Sequence, residues 1–520
     1  MTARRARSSP PRVMTTRSIP SSSVVTAGGA LALALVGGAV ATTRYALTAD
    51  LGLALAVTLI VLLHRFGTGV AVGLLLLGGL DALPGPNLET TRIVLSLTAQ
   101  ELDVLVLIVV LALWRPDGAH RRQGRSRLEG WLWLWTGSFL ALWLATVVRT
   151  TLSSPVPLYR AASWCMDFAF FAILLPLFAR ALRDARLRRV FFFTCVAGLL
   201  VSAPAGAIVV VTHTPLPLLV HTTLVASNGS LTRLYTGATD LPFAGLPLAL
   251  GAALFSTTAR VRILGAVVAI VCAVAVALAL TRARYIGIAV GVSSASLLWL
   301  CLSDRAAKLA RLRLGRAAAA ILITVAALLI YHPPVVGSSA LNTVAQRATS
   351  ALAVTTGQGS TATVNVRLVD VRELTQYLGG RWLFGLGFLD PSSDFIVGVP
   401  QGSIRNGDVG YFNIIMTMGI VGLALYCAPL VLLVIALGWR RLQRIGAGEL
   451  EWLAFGGFAW IVATLISSAT LVILFSTTGV VAAAAVAALA VVAIAGSGDE
   501  RPPRPAVEDL APGQVPLVVG

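Results

Sequence analysis

The chain has 520 residues, of which 57% are hydrophobic and only 12% charged, and its mean hydropathy is +0.86. A soluble protein carries roughly twice that charged fraction, so the composition excludes a soluble globular fold and predicts an all-α, polytopic transmembrane bundle. The formal charge of +18 comes from 40 basic and 22 acidic residues; it is concentrated in short loops between apolar runs, which marks cytoplasmic membrane loops rather than a nucleic-acid surface.

Residues 1–22 form a basic N-terminus, with five Arg and no acid in MTARRARSSPPRVMTTR. The apolar run that follows passes through Ala39-Val40-Ala41 and has the look of a signal peptide. It is longer than a usual signal core, so a retained span is expected. Further along, runs of spanning length fall near 23–43, 47–64, 67–83, 93–114, 131–149, 161–179, 190–211, 241–256, 263–280, 285–302, 318–331, 411–437, 452–474 and 477–496. That gives about 14 spans, with 12 as the lower count; the second and third are separated only by His64-Arg65-Phe66-Gly67. The bundle is thus divided between 23–331 and 411–496, with an outer loop at 332–410 and a Pro-rich, disordered cytoplasmic tail at 497–520.

The arginines set the orientation. With the N-terminus inside, RPDGAHRRQGRSRLEG (115–130), ARALRDARLRR, TTARVR, SDRAAKLARLRLGR and WRRLQR all fall on the cytoplasmic side, as the positive-inside rule requires. Within the spans, Glu101 and Asp103 are unusual and hint at a polar interior or a transport path. The five cysteines (165, 195, 272, 301 and 427) lie in apolar runs with no CxxC pair or His cluster, so packing roles are expected and neither a disulfide framework nor a metal site.

One pair of arginines runs against the charge bias. Arg282 and Arg284, in LALTRARYIGIAVGV, lie between two spans at the outer face. They either snorkel to outer headgroups or hold an anion, for which the guanidinium fork is suited.

The 332–410 loop carries five Arg (347, 367, 372, 381, 405) and five acids (Asp370, Glu373, Asp390, Asp394, Asp408). In VNVRLVDVRELTQYL, Leu368, Val371, Leu374 and Leu378 recur at helical spacing, which predicts an amphipathic surface helix capping a cavity. The loop ends in Asn406-Gly407-Asp408, with Tyr411 entering the next span. Asp408 is either a turn residue or a base at the membrane surface.

The order of these features resembles the O-antigen ligase and O-antigen polymerase superfamily of bacterial membrane glycosyltransferases. Thr281-Arg282-Ala283-Arg284 is similar to the family's outer Thr/Ser-Arg motif, Arg367 to the arginine of the loop helix, and Phe384-Gly385-Leu386-Gly387 to its Phe-Gly-x-Gly turn. Asp408-Val409-Gly410-Tyr411-Phe412, followed by Gly419-Ile420-Val421-Gly422-Leu423, is similar to the closing motif, although the family's histidine and asparagine are replaced by Asp408 and Val409. The resemblance is best over about 230–435.

It implies a polyprenyl-diphosphate-linked glycan as donor, a glycan, lipid or protein acceptor, no cofactor, and a site on the extracytoplasmic face of a bacterial cytoplasmic membrane. The diphosphate would be bound by Arg282, Arg284, Arg367, Arg372 and Arg381, and Asp408 would be the base. Arg160, Arg233 and Tyr411 are further candidates. Three other readings stay open. A lipid-linked glycan transporter or flippase would draw on Glu101 and Asp103. A polyprenyl-phosphate-sugar-dependent glycosyltransferase would resemble enzymes with acids in the first outer loop, where this chain has only Asp50. A non-catalytic scaffold would leave the outer arginines unexplained.

Overall fold

The computed structural model describes residues 68–80, 82, 92–94, 97–114, 127–153, 157–163, 165–212, 223–228, 231–235, 240–279, 281–301, 307–315, 375–376, 378–387, 410–443, 450–469, 471 and 473–496. The chain divides into two compact units, Met1–Ala71 and Val72–Gly520; apart from the first residues of the first helix, all that follows belongs to the second.

The described elements are α1 (Thr68–Gly79), a hairpin β1 (Arg92–Val94) and β2 (Leu97–Thr98), α2 (Ala99–Leu113), α3 (Arg127–Ser153), the short α4 (Leu158–Ser163), α5 (Met166–Ala181), α6 (Ala185–Thr212), a second hairpin β3 (Thr223–Asn228) and β4 (Leu231–Tyr235), α7 (Asp240–Phe255), α8 (Ala259–Leu278), α9 (Arg282–Leu300), α10 (Gly410–Leu442), α11 (Glu451–Ser467) and α12 (Thr477–Gly496). Eleven of the fourteen predicted runs coincide with helices. The runs 23–43, 47–64 and 318–331 lie outside the described residues, as does most of 332–410. Among the described residues six helices, α3, α6, α8, α9, α10 and α12, are long and apolar enough to cross a membrane. The fold is all-α, as expected, and two short antiparallel hairpins occupy connections between helices.

Packing follows side-chain size. In α12, TTGVVAAAAVAALAVVAIAG is apolar all round, as a central helix must be, and every residue from Thr478 to Ala493 is buried. Its alanines let α5 and α11 approach closely. In contrast, α8 shows Ile263, Ile270 and Val274 to the outside, as a lipid-facing helix does. Between α9 and α11 the contact is tighter still. Gly287 and Gly291 are four residues apart, and a Cβ on either would collide with the carbonyl of Ala463 or Ala459.

Glu101 proves to be a cap. Its carboxylate accepts the Thr98 amide at 2.6 Å, and Thr98 Oγ1 accepts the Glu101 amide at 3.1 Å. Thr-x-x-Glu is a capping box, and it orders the start of α2. Asp103 is different: it is buried on α2, and its Oδ2 has no hydrogen-bond partner among the described residues. Of the cysteines, Cys165 and Cys272 are buried, whereas Cys301 is exposed and so departs from a packing role; all five are free.

Arginines gather at one end of the bundle and close helix C-termini there. Arg180 donates to the carbonyls of Leu111, Ala112 and Trp114 at 2.9–3.0 Å, Arg440 to Ile494 and Arg313 to Leu254. Arg441 donates to the Trp299 carbonyl at 3.0 Å and pairs with Glu451 at 3.4 Å, while Arg183 pairs with Glu129 at 2.9 Å. A C-terminus leaves carbonyls unpaired and carries partial negative charge, so a cation there satisfies both. These residues come from the loops predicted to be cytoplasmic.

Candidate functional site

The opposite end of the bundle gathers the N-termini of α5, α7, α9, α10 and α12 with the C-terminus of α11. Thr281 is the N-cap of α9 in an extended conformation (φ −102°, ψ 104°). Its carbonyl receives the amides of Arg284 and Tyr285, at 3.1 and 3.3 Å, and so starts the helix. The TRAR stretch is therefore the tight turn between α8 and α9 and the first turn of α9.

Its two arginines diverge, because residues two apart on a helix point about 200° away from each other. Arg282, half-buried, opens α9. Arg284 turns inward and pairs with Asp240 Oδ1 at 2.6 Å, its side chain only 12% exposed. The other carboxylate oxygen, Oδ2, accepts the Thr478 hydroxyl at 2.8 Å, and the guanidinium lies 5.7 Å from the ring centre of Phe243. Asp240 heads α7, where a helix N-terminus favours an acid. A neighbouring bond repeats the pattern: Thr477 donates to Asp167, in the first turn of α5, at 2.7 Å. One buried network thus joins α7, α9 and α12, and a second joins α5 and α12.

The last turn of α11 ties α9 to α10. Ser467 donates to the Ala283 carbonyl at 2.9 Å. Gly410, the first residue of α10, sits so close to the carbonyls of Ser468 and Leu471 that a Cβ would collide with both, and Tyr411 donates its hydroxyl to the Leu465 carbonyl. Tyr411, a predicted site residue, is thereby a clamp between α10 and α11. The first turns of α9 and α10 hold no acid, unlike those of α5 and α7. The partial positive charge of such helix N-termini favours an anion.

The Phe-Gly-x-Gly turn plugs a break in α10. The helix is interrupted at Gly419 (φ 72°, ψ −171°). The segment 381–387 fills the gap with its backbone: Leu386 and Gly387 donate to the carbonyls of Met416 and Thr417 at 2.6 and 3.1 Å, and Ile420 and Val421 donate to Trp382 and Leu383 at 2.9 and 3.2 Å. Gly385 (φ 67°) and Gly387 (φ 104°) make the turn in a region of conformation that favours glycine. Leu378, the last residue of the predicted apolar stripe, is buried against Met416, with Trp382 and Phe412 around it. From α3, Arg149 completes the plug, donating to Phe384 O at 2.7 Å and to Thr417 O at 3.3 Å. Irregular backbone at membrane depth needs such internal partners.

Sequence reasoning missed both Arg149 and Asp240. Arg149 is the single charge at the end of a long tryptophan- and leucine-rich run, and that isolation is a signal. Asp240 lies just before a predicted span, 44 residues from its partner.

The other predicted residues are distributed as follows. Arg381 begins the docked turn, with its side chain exposed. Arg160 falls on α4 and Arg233 on β4, opposite Val225. Asp408, Arg367 and Arg372 lie outside the described residues. Among the described residues, no three His, Cys, Asp or Glu side chains are grouped to hold a metal ion. Compared with known proteins, the chain matches no family model and no curated sequence.

Proposed function

We propose that this chain is a multi-pass glycosyltransferase of a bacterial cytoplasmic membrane. It would join a glycan from a polyprenyl-diphosphate donor to an acceptor hydroxyl at the outer face, as a polysaccharide ligase or polymerase. In this reading the chain has 12–14 spans and cytoplasmic termini. The observation that carries it is that the last turn of α11 touches both Ala283 and Gly410. It brings the acid-free first turns of α9 and α10 to the same end of the bundle.

Breaking the glycosidic bond builds negative charge on the leaving diphosphate, and fixed cations and helix N-termini stabilise that charge. Arg282 is assigned this role, with Arg367 and Arg372 of the loop. Asp408, which precedes α10 by two residues in sequence, is assigned as the base for the acceptor hydroxyl. Arg284 is reassigned. Its charge is taken up by Asp240, so it serves as a strut rather than a ligand of the diphosphate.

The test is a deletion strain complemented with variants. Arg282→Ala should leave membrane abundance unchanged, lower glycan transfer on the order of 10²–10³-fold, and accumulate lipid-linked glycan. Near-normal transfer by both Arg282→Ala and Arg367→Ala would remove the basis of the assignment.

A second reading, transport, is favoured by one observation: Asp103 is buried within α2 with an unpartnered oxygen, beside Gly78 at the end of α1. Asp103→Asn separates the two readings. It should abolish substrate movement in a transporter and leave transfer intact in a glycosyltransferase.

A further inference from the structure

A second cationic feature lies on α3, apart from the TRAR turn. Arg149 gives one nitrogen, Nη2, to the two carbonyls of the plug. Carbonyls carry only partial charge, so its full positive charge stands uncompensated by them. Its Nε is buried and has no hydrogen-bond partner among the described residues. Among the described residues a second cation, Arg381, belongs to the same turn: its carbonyl receives the amide of Gly385, next to Phe384, at 2.8 Å, and its side chain is exposed. Two cations brought together by one turn suit an anion.

Arg149 also lies in a shallow, open apolar groove along α3, about one turn short of its Ser153 end, lined by Leu144, Ala145, Val148 and Leu152. Leu144 and Leu152 are 54% and 84% exposed. The groove runs from Ala141 to Ser153, a rise of about 18 Å on a helix. Half of a bilayer's hydrocarbon core is about 15 Å. From Arg149 back to Ala141 the groove rises about 12 Å, most of one leaflet, with Arg149 near its headgroup end. A long isoprenoid chain would outrun it; one acyl chain would not.

We infer that this face of α3 binds one anionic phospholipid, with its phosphate between Arg149 and Arg381 and an acyl chain along Val148, Ala145 and Leu144. The phosphate would bridge α3 to the plug in α10, so the lipid would fasten the 381–387 turn in place. This site does not depend on the glycosyltransferase reading.

The experiment is native mass spectrometry of the detergent-purified full chain, with dioleoylphosphatidylglycerol or dioleoylphosphatidylcholine added. Wild type should retain one phosphatidylglycerol in clear preference to phosphatidylcholine. Arg381→Gln, at an exposed side chain whose backbone makes the local bonds, should lower retention about fivefold, as expected for one arginine at a lipid surface. Ala145→Trp, which fills the groove without touching a charge, should lower it as well. Millimolar inorganic phosphate should not displace the lipid, because the acyl chain contributes to binding. Equal retention by wild type and both variants would overturn the site. Displacement by stoichiometric undecaprenyl phosphate would overturn the phospholipid assignment and give the face to a carrier lipid.

Discussion

The Arg284–Asp240 pair sets a sharp test of what the TRAR turn does. With side chains only 12% and 7% exposed, the pair is little screened by water. Arg284→Met leaves Asp240 buried with its charge and only the Thr478 hydroxyl to meet it. Breaking a buried pair from one side costs about 3–5 kcal/mol, roughly 10²–10⁴ in the unfolding equilibrium. Asp240→Leu strands the guanidinium and should cost a similar amount. Replacing both at once removes the uncompensated charge, and such exchanges are often neutral. The double variant should therefore be more stable than either single one, with a coupling energy of about 3 kcal/mol or less in a double-mutant cycle. Stability would be read by thermal melting of the purified chain, alongside membrane abundance and glycan transfer. The double variant should recover abundance and transfer together, as a strut would. Additive losses would refute the buried-pair reasoning. A stable double variant with no transfer would return Arg284 to the diphosphate.

Gly419→Ala places a side chain at φ 72° and drives it into the Leu383 carbonyl; we expect a loss of about 1–3 kcal/mol and faster proteolysis within 381–387, and unchanged cleavage would dissociate the turn from the break. At Asp408, transfer should follow the order Asp, then His, then Asn, with Asn lower on the order of 10²–10⁴-fold; an active Asn variant would make Asp408 a turn residue. A single cysteine at Ser360 should react with an impermeant reagent on intact cells, and labelling only after permeabilisation would reverse the orientation.

The helices were legible because their apolar runs approach the length a bilayer requires; the ends were less so. The 93–114 run was shortened to α2 because Thr98 and Glu101 form a cap, a signal the sequence carried as T-x-x-E. The β3–β4 hairpin falls in the gap between the runs 190–211 and 241–256, where TLVASN and LTRLY are too short to show a clear period. At the site, the position of TRAR between two helices was visible, but the fate of its charges was not. Arg284 is neutralised by a residue 44 positions away, a pairing that no local pattern encodes. Gly419 likewise read as one glycine in a Gly-rich span, although it is where α10 breaks. Its partner, the 381–387 turn, is joined to it by backbone bonds that leave no side-chain signature.

The buried position of α12 also bears on the order of synthesis. Thr477 and Thr478 meet Asp167 and Asp240 across 310 and 238 residues of chain. At about 5–20 residues per second, those two carboxyls are translated roughly 10–60 s before the hydroxyls that bind them. Arg284 follows Asp240 by only 44 residues, within about 2–9 s. The α7–α9 pair can therefore lock early, while the middle of the bundle waits as an open slot. The alanines of α12 suit a late arrival, since a smooth, narrow helix can slide between neighbours already in place. Bulky substitutions on α12 should then trap a nascent protein whose earlier helices are inserted and paired but whose centre has never closed.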